Sequence, residues 1–298
     1  MNAETVAKGL DGRRTGATWM ARCPAHDDSS PSLSISVSKD GKVLLRCHAG
    51  CDQRDVITAL SERGLWAVTS NRLGGIAKRR WKNLSPEPDP DAKARTEAAL
   101  AIWQASQVAK GSPVATYLRS RGLHLPALPT LRFHAGLKHP SGGVWAAMMG
   151  LVMHGATGSP IAVHRTFLDR NGRGKALVDP AKMMVGPCRG GLVRLGEPSA
   201  VLMIGEGIET CLAAMQATGN AAWAALSTSG LRSLDLPRNA RDVIVLADGD
   251  EPGDAAAQDC ARRWKREGRR VRIARPPHGM DFNDLLKSRN PSFSEGVQ

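Results

Sequence analysis

Two short apolar runs stand near the N-terminus, separated by polar residues. They consist of Leu33, Ile35 and Val37, and of Val43, Leu44 and Leu45. Because strand side chains alternate between two faces, these runs predict two strands that a turn at Lys39-Asp40-Gly41 joins into a β-hairpin. The segment DQRDVITALSERGL at 52–65 has a helical period instead and predicts a short amphipathic helix.

The middle of the chain first loses and then regains periodicity. Residues 67–95 are rich in Gly, Pro, Ser and charge, which predicts a linker. The linker has a basic cluster that is either a solvated tether or a phosphate contact: Lys78, Arg79, Arg80 and Lys82. Beyond it, RTEAALAIWQASQVAKG and VATYLRSRGL predict helices, and VWAAMMGLVMH, SPIAVHRTFLD and GGLVRLG predict strands.

Strands and helices alternate in the last third. The apolar runs VLMIG, DVIVLA and RVRIA predict buried strands, and IETCLAAMQATG and PGDAAAQDCARRWKREG predict helices between them. This order implies parallel crossovers and a Rossmann-like parallel sheet. The sequence therefore predicts an α/β protein divided into a small hairpin domain, a linker, an α+β segment and a parallel-sheet domain, at 1–66, 67–95, 96–198 and 199–298.

Charge indicates the kind of partner. The chain of 298 residues has 41 Lys plus Arg against 28 Asp plus Glu, which gives a formal net charge of +13. Such an excess favours a polyanion, because each phosphate that a basic side chain neutralises releases condensed counterions. Nucleic acid is the first candidate. Neither an apolar run of about eighteen residues nor a secretory signal pattern occurs, so we expect a cytoplasmic protein without a membrane span.

Cysteine and histidine flank the predicted hairpin at metal-ligand spacing. Cys23 and His26 precede it, and Cys47 and Cys51 follow it. A hairpin brings the two pairs together, and four such ligands predict one closed, tetrahedral, structural Zn²⁺ site. His48 competes with Cys51 as the fourth ligand, although it adjoins Cys47. The remaining cysteines are scattered singly, so a reduced compartment fits better than a disulfide framework.

Acidic side chains follow the predicted strands of the last third. Glu206 comes after VLMIG, Asp248 and Asp250 come after DVIVLA, and Asp281 and Asp284 follow RVRIA at a greater distance. Ligands of an open α/β sheet collect at the carboxyl ends of its strands, where such acids would converge. Their mutual repulsion is best relieved by a hard divalent cation, which predicts an Mg²⁺ or Mn²⁺ site. Its ligands would be Glu206, Asp248, Asp250 and Asp281.

The alternative for a single acid is that it caps the helix that follows, which contributes about 1 kcal/mol of stability. We expect Asp254 to be such a cap. For a glutamate and an Asp-x-Asp pair at separate strand ends, metal binding is the favoured interpretation.

Gly205-Glu206-Gly207 and the segment DGDEPG at 248–253 resemble the two motifs of the Toprim fold. Bacterial-type primases, type IA and II topoisomerases, OLD-family nucleases and recombination mediators share this fold. The resemblance covers about residues 199–288. It implies that Glu206 serves in acid/base chemistry or metal binding, and that the two aspartates of the second motif, Asp248 and Asp250, hold metal in a catalytic site.

The chain departs from the primase pattern at two positions. Thr210 stands where replicative primases often have an acid, and Glu209 lies one position earlier. Asp281-Phe-Asn-Asp284 stands where those primases have Asp-x-Asp. The roles of Glu209, Asp281 and Asp284 therefore stay open.

The N-terminal Cys/His segment is similar to the zinc ribbon of bacterial primases, although its second pair has three intervening residues rather than two. Segments 117–123 and 164–184 resemble the primase subdomain that precedes Toprim. This resemblance implies that Arg165 and Lys182 face the nucleotide or the template; ordinary solvated basic residues are the alternative. The order of ribbon, linker, α+β segment and Toprim is that of the primase-like proteins of phages, plasmids and integrated elements.

The resemblance implies a DNA primase that makes RNA primers on single-stranded DNA from ribonucleoside triphosphates by metal-dependent nucleotidyl transfer. A Toprim nuclease and a non-catalytic single-stranded-DNA-binding replication protein are the alternatives. Tyr117 is the only tyrosine and lies in a predicted helix, which argues against a topoisomerase. No Gly-x-x-x-x-Gly-Lys-Ser/Thr motif occurs, so a replicative helicase would be a separate protein.

Overall fold

The computed structural model shows two compact units, one within residues 1–87 and one within 88–298. The residues that it describes are 2–16, 18–26, 28, 31–38, 41–47, 51, 53–66, 91–277 and 279–289. His48, most of the predicted linker and its basic cluster lie outside these ranges. The predicted domain boundaries stay predictions.

The first unit is a small antiparallel sheet with helices before and after it. Its elements are α1 (Ala3–Lys8), β1 (Arg13–Thr15), β2 (Thr18–Ala21), β3 (Leu33–Val37), β4 (Val43–Cys47) and α2 (Gln53–Glu62). The strands pair in the order β1-β2-β3-β4. One apolar cluster joins the sheet to both helices, with Val6 of α1, Leu33 and Ile35 of β3, and Leu60 of α2 fully buried.

The predicted hairpin is confirmed, since β3 pairs antiparallel with β4 in a register that sets Leu33 opposite Cys47 and Val37 opposite Val43. The predicted helix after it is α2. The sequence analysis missed α1, β1 and β2. Each has three to six residues, which is too short to show a period, and they gain their stability from packing on the hairpin.

The second unit begins with helices and an antiparallel region. Its first elements are α3 (Ala92–Gln104), β5 (Gln107–Val108), α4 (Pro113–Ser120), β6 (Leu131–Lys138), β7 (Val144–His154), β8 (Pro160–Leu168), β9 (Lys182–Val185) and β10 (Gly191–Arg194). The remaining elements are β11 (Val201–Gly205), α5 (Ile208–Thr218), β12 (Ala221–Ala224), α6 (Thr228–Ser233), β13 (Asp242–Leu246), α7 (Glu251–Arg266), β14 (Arg270–Ala274) and α8 (Phe282–Arg289).

One ten-stranded sheet runs through this unit. Its main path is β14-β13-β11-β12-β10-β7-β6-β5, and β8 pairs with β7 and β9. The first four strands of this path are parallel to one another, which confirms the predicted Rossmann-like region. Strand β10 pairs antiparallel with both β7 and β12. The α+β segment and the parallel region therefore share a continuous sheet across the predicted boundary at residue 198.

Helices cover both faces of the parallel region. Helix α5 belongs with α4 and α8 to one buried cluster, and α6 and α7 belong to another, which includes the fully buried Trp223 and Trp264. A third cluster packs α3, through Ala99 and Trp103, on the antiparallel region. This two-sided burial explains why the parallel strands are continuous apolar runs.

Two details differ from the sequence-based expectations. Helix α3 ends at Gln104 rather than continuing to Lys110, and the hydroxyl of Ser106 donates to the backbone oxygen of Trp103 in place of a helical bond. Strands β6 and β9 were not predicted, since their apolar positions are interrupted by basic and polar residues. None of the helices in the described ranges combines the length and the apolar character that a bilayer crossing requires.

Candidate functional site

The predicted acids follow the carboxyl ends of the parallel strands. Glu206 follows β11, Asp248 follows β13, and Asp281 lies between β14 and α8. All three line one cavity of about 250 Å³. The structure thus brings together three of the four predicted ligands of a divalent cation. The fourth, Asp250, is exposed beside them, and its charge acts on Glu206.

The negative charge of this group is poorly compensated. Burial, and then the carboxylates of Asp248 and Asp250, raise the pKa of Glu206 to about 7. Burial and Asp250 also raise the pKa of Asp248. Carboxylate oxygens that repel one another in a partly buried site are a donor set that suits Mg²⁺ or Mn²⁺, so the residues present fit such an ion.

Backbone contacts fix the position of Glu206. The preceding Gly205 leaves no room for a side chain, because a Cβ there would lie 2.9 Å from the sulfur of Cys211. The backbone oxygen of Glu206 accepts a hydrogen bond of 2.8 Å from the N–H of Leu226, just after β12. Gly207 then caps α5. The glutamate is therefore held between a neighbouring strand and a helix start.

Asp250 has the capping role that we expected of Asp254. Its Oδ1 accepts a 2.8 Å hydrogen bond from the backbone N–H of Gly253, and it is the N-cap of α7. Asp254 instead lies in the first turn and pairs with Arg275. The expectation for Asp254 was wrong because Pro252 favours the first turn of the helix, which moves the cap to residue 250.

Glu209 lines the same cavity but is fully engaged with other side chains. Its Oε1 accepts a 2.8 Å hydrogen bond from the hydroxyl of Tyr117, and its Oε2 lies 3.0 Å from the ammonium of Lys182. Burial opposes ionisation here, but Lys182 and Tyr117 outweigh it and lower the pKa of Glu209 to about 2. Glu209 is therefore an ionised partner of Lys182, whereas burial and the neighbouring carboxylates keep the pKa of Glu206 raised.

Basic side chains contribute the rest of the cavity wall. Lys182, which the resemblance indicated, lines it together with Lys175 and Arg121. The buried His164 lines it too, and burial followed by the charge of Lys182 lowers its pKa to about 4. Sequence reasoning missed Lys175, Arg121 and His164, because residues from a loop, a helix end and a strand carry no common spacing.

Arg165 does not line this cavity. It neighbours His164 on β8, so the two side chains point to opposite faces of the sheet. The guanidinium of Arg165 stacks over Phe167 at 5.5 Å and contacts the sulfur of Met183. Its expected contact with nucleotide or template stays a prediction, while its burial in this apolar layer favours a packing role.

The first unit brings the four predicted zinc ligands together. The ligand atoms of Cys23, His26, Cys47 and Cys51 all lie within 4.8 Å of one another. Nδ1 of His26 is 3.1 Å from the sulfur of Cys51 and 4.0 Å from that of Cys47. Three sulfurs and one imidazole nitrogen at such distances form a Cys₃His site that suits tetrahedral Zn²⁺.

Asp28 supports this site and was missed by the sequence analysis. Its Oδ2 accepts hydrogen bonds from the backbone N–H of Cys23 at 2.6 Å and from the hydroxyl of Ser32 at 2.6 Å. Its Oδ1 lies 3.5 Å from Nε2 of His26. A carboxylate behind a histidine ligand orients the ring, so Asp28 is an outer partner of the metal site.

Comparison with known families and proteins agrees with this architecture. Residues 201–292 match the Toprim domain, and residues 93–195 match a family described as a domain of unknown function, DUF7146. Residues 201–292 of the second unit thus match the Toprim fold that the motifs at 205–207 and 248–253 resemble.

Over most of its length the chain is similar to bacterial DNA primases. It is 25% identical to a DNA primase of Halalkalibacterium halodurans, over 92% of this chain and 53% of that protein. It is 24% identical to a DNA primase of Myxococcus xanthus, over 98% of this chain and 55% of that protein. The chain therefore spans about half the length of the curated relatives it matches.

Among solved structures, the zinc-binding and RNA polymerase domains of the Aquifex aeolicus primase align with 97% of this chain and 80% of that chain. The identity is 14% and the TM-score is 0.43.

Proposed function

We propose that this chain is a DNA primase that synthesises short RNA primers on single-stranded DNA by metal-dependent nucleotidyl transfer. The observation that supports this most is the composition of the cavity in the second unit. Acids from the ends of three parallel strands line it together with Lys182, Lys175 and Arg121. Acids that suit a divalent cation, beside cations that suit phosphate, fit the joining of nucleotides.

The three acids that line the cavity, Glu206, Asp248 and Asp281, would hold Mg²⁺ or Mn²⁺ together with the neighbouring Asp250. When bound, such an ion neutralises charge that develops on the reacting phosphate. Lys182, Lys175 and Arg121 would bind the triphosphate of the incoming ribonucleotide.

In this reaction a 3′-oxygen forms a bond to the α-phosphorus, and the bond to the β-phosphate oxygen breaks, so that pyrophosphate leaves. The proton of the 3′-hydroxyl needs an acceptor. The acid/base role that the resemblance implies for Glu206 would supply this acceptor, since the pKa of Glu206 lies near 7 before a cation binds.

The zinc unit would contact the single-stranded template. Its strand β4 presents the exposed Arg46, and the chain as a whole is strongly basic. A tetrahedral Cys₃His site leaves no open metal position for catalysis, which favours a binding role. The further expected partners are ribonucleoside triphosphates and a separate replicative helicase, and the expected location is the cytoplasm.

The test is de novo synthesis of labelled oligoribonucleotides on single-stranded DNA with Mg²⁺ or Mn²⁺. We expect product from the wild type and none from Asp248→Asn. Asp242→Asn is the matched control, because Asp242 lies at the amino end of β13, the strand that Asp248 follows, and pairs with Arg270 and Arg272. This control should keep its activity, since surface ion pairs contribute about 0–1 kcal/mol.

Other outcomes would favour the alternatives. Metal-dependent cleavage of the DNA without synthesis, lost in Asp248→Asn, would replace the primase by a nuclease that uses water as the nucleophile. Binding of single-stranded DNA with neither activity would indicate a non-catalytic replication protein.

A further inference from the structure

A hydrogen-bonded series of three side chains leads from the core of the second unit to the wall of the cavity. Tyr117 of α4 is 1% exposed, and its hydroxyl donates to Oε1 of Glu209 at 2.8 Å. The other oxygen of Glu209, Oε2, accepts from the ammonium of Lys182 at 3.0 Å. The ammonium end of this series reaches the cavity wall, where the side chain of Lys182 is 40% exposed.

This arrangement limits what Glu209 can do. Both of its carboxylate oxygens are engaged by donors from the protein, at distances typical of strong, charge-assisted hydrogen bonds. Glu206, not Glu209, is the glutamate on which the charges of Asp248 and Asp250 act. Thr210, which follows Glu209 on α5, donates its hydroxyl to Oδ1 of Asp248 at 3.4 Å. The cavity thus has two kinds of acid. Glu206 and Asp248 are carboxylates whose pKa values burial and neighbouring carboxylates raise, and Glu209 has a donor on each of its two oxygens.

A lysine with a free four-carbon stem loses conformational freedom each time it binds a phosphate. Lys182 has already lost much of that freedom, because Glu209 holds its ammonium and Tyr117 holds Glu209. A preorganised cation binds an anion more tightly than a mobile one, since less ordering remains to be done on binding.

We propose that Glu209 is a positioning residue, held by Tyr117, that sets the ammonium of Lys182 to bind the triphosphate of the incoming nucleotide, and that it is not a ligand of the divalent cation. The substrate class rests on the proposed function, but the positioning itself does not require catalysis. Binding of triphosphate is therefore measured first.

The binding probe is inorganic triphosphate, titrated by calorimetry into the full-length, zinc-loaded chain after free divalent cations have been removed by desalting. Two variants disturb the position of Lys182 without changing any charge. Tyr117→Phe removes the hydroxyl that holds Glu209, and Glu209→Asp keeps the carboxylate but shortens it by one methylene. We expect weaker binding by about threefold for the first and up to about tenfold for the second. These effects are smaller than the effect of about tenfold or more from a hydrogen bond lost directly to a charged group, because both variants act only through the position of Lys182.

A double-mutant cycle separates positioning from a direct contact. In a Lys182→Met background, Tyr117→Phe and Glu209→Asp should have no further effect on triphosphate affinity, because the residue through which they act is gone. In the primase assay, Tyr117→Phe should raise the KM for ribonucleotide about threefold and leave kcat within about twofold. If circular dichroism shows that Glu209→Asp is unfolded, the result for Tyr117→Phe alone tests the positioning role.

The outcomes distinguish this inference from the proposed function. Unchanged triphosphate affinity in both variants, together with weakened Mn²⁺ binding, would make Glu209 a metal ligand and overturn the inference. The inference is also overturned if the wild type binds no triphosphate, or if the two variants weaken triphosphate binding just as much in the Lys182→Met background. Coupled effects on binding without any primer synthesis would uphold the positioning role and overturn the primase proposal instead.

Discussion

Replacing Glu206 with glutamine should stabilise the metal-free fold while abolishing the proposed synthesis. Glu206 is partly buried beside Asp248 and Asp250, which raises its pKa from 4.5 to about 7. An acid whose pKa is higher in the fold binds its proton more tightly there, so the free energy of unfolding falls as pH rises between the two values. At about 1.4 kcal/mol per pH unit, the interval from 4.5 to about 7 corresponds to a loss of about 3 kcal/mol.

Glutamine has the size of glutamate and can still accept the hydrogen bond that Glu206 takes from the backbone of Thr228, but it carries no charge. At pH 8 and without free divalent cations, Glu206→Gln should therefore be more stable than the wild type by up to about 3 kcal/mol. At pH 4 the two proteins should be nearly equal. Added Mg²⁺ should reduce the difference at pH 8, because a bound cation stabilises the ionised wild type.

Urea unfolding at both pH values measures this, with tryptophan fluorescence, to which the buried Trp223 and Trp264 of the second unit contribute, as the signal. Glu197→Gln is the control, since Glu197 is an exposed glutamate of the same unit. The reasoning is refuted if Glu206→Gln is no more stable than the wild type at pH 8, or if Glu197→Gln gives the same gain.

Four further predictions concern the two sites and the core. Zinc analysis should find one ion per chain, and Cys47→Ser should release it and lower the helical signal of the first unit in circular dichroism. Asp28→Asn should weaken zinc affinity about 10–100-fold in a competition with a chelating dye. Leu33→Ala, at a fully buried position, should lower the free energy of unfolding of that unit by about 2–5 kcal/mol in urea titrations. Glu209, with a pKa of about 2, contributes stability above pH 4.5 that is lost as pH falls, so the stability difference between wild type and Glu209→Gln should shrink toward pH 2.

Local sequence signals were sufficient where one segment forms one element. The alternating runs at 33–37 and 43–47 became a paired hairpin, and the apolar runs of the last third became parallel strands. The zinc ligands could be read from spacing, because a hairpin of known length brings its two ends together whatever surrounds it. Short elements such as β1 and β2 could not be read, since packing on the hairpin rather than their own composition stabilises them.

The convergence of the acids at the cavity was also predictable from the sequence. Parallel strands of one sheet end at the same edge, so acids after successive strands must approach one another. Their individual roles were not predictable. Asp250 caps α7 in place of the expected Asp254, because the helix starts at Glu251. Spacing alone defines such a boundary only to within a few residues.

The sequence by itself located the Cys₃His cluster and the strand-end acids, because a hairpin brings its two ends together and parallel strands of one sheet end at the same edge. Only the tertiary structure showed that Lys175 and Arg121 join Lys182, which the resemblance had indicated, beside the strand-end acids. Lys182, Lys175 and Arg121 meet Glu206 through a sheet that connects the α+β segment to the Toprim domain, and Arg165 turns to the opposite face. The pairing of Glu209 with Lys182 and Tyr117 spans residues 27 and 92 positions apart, and long-range packing alone brings such side chains together.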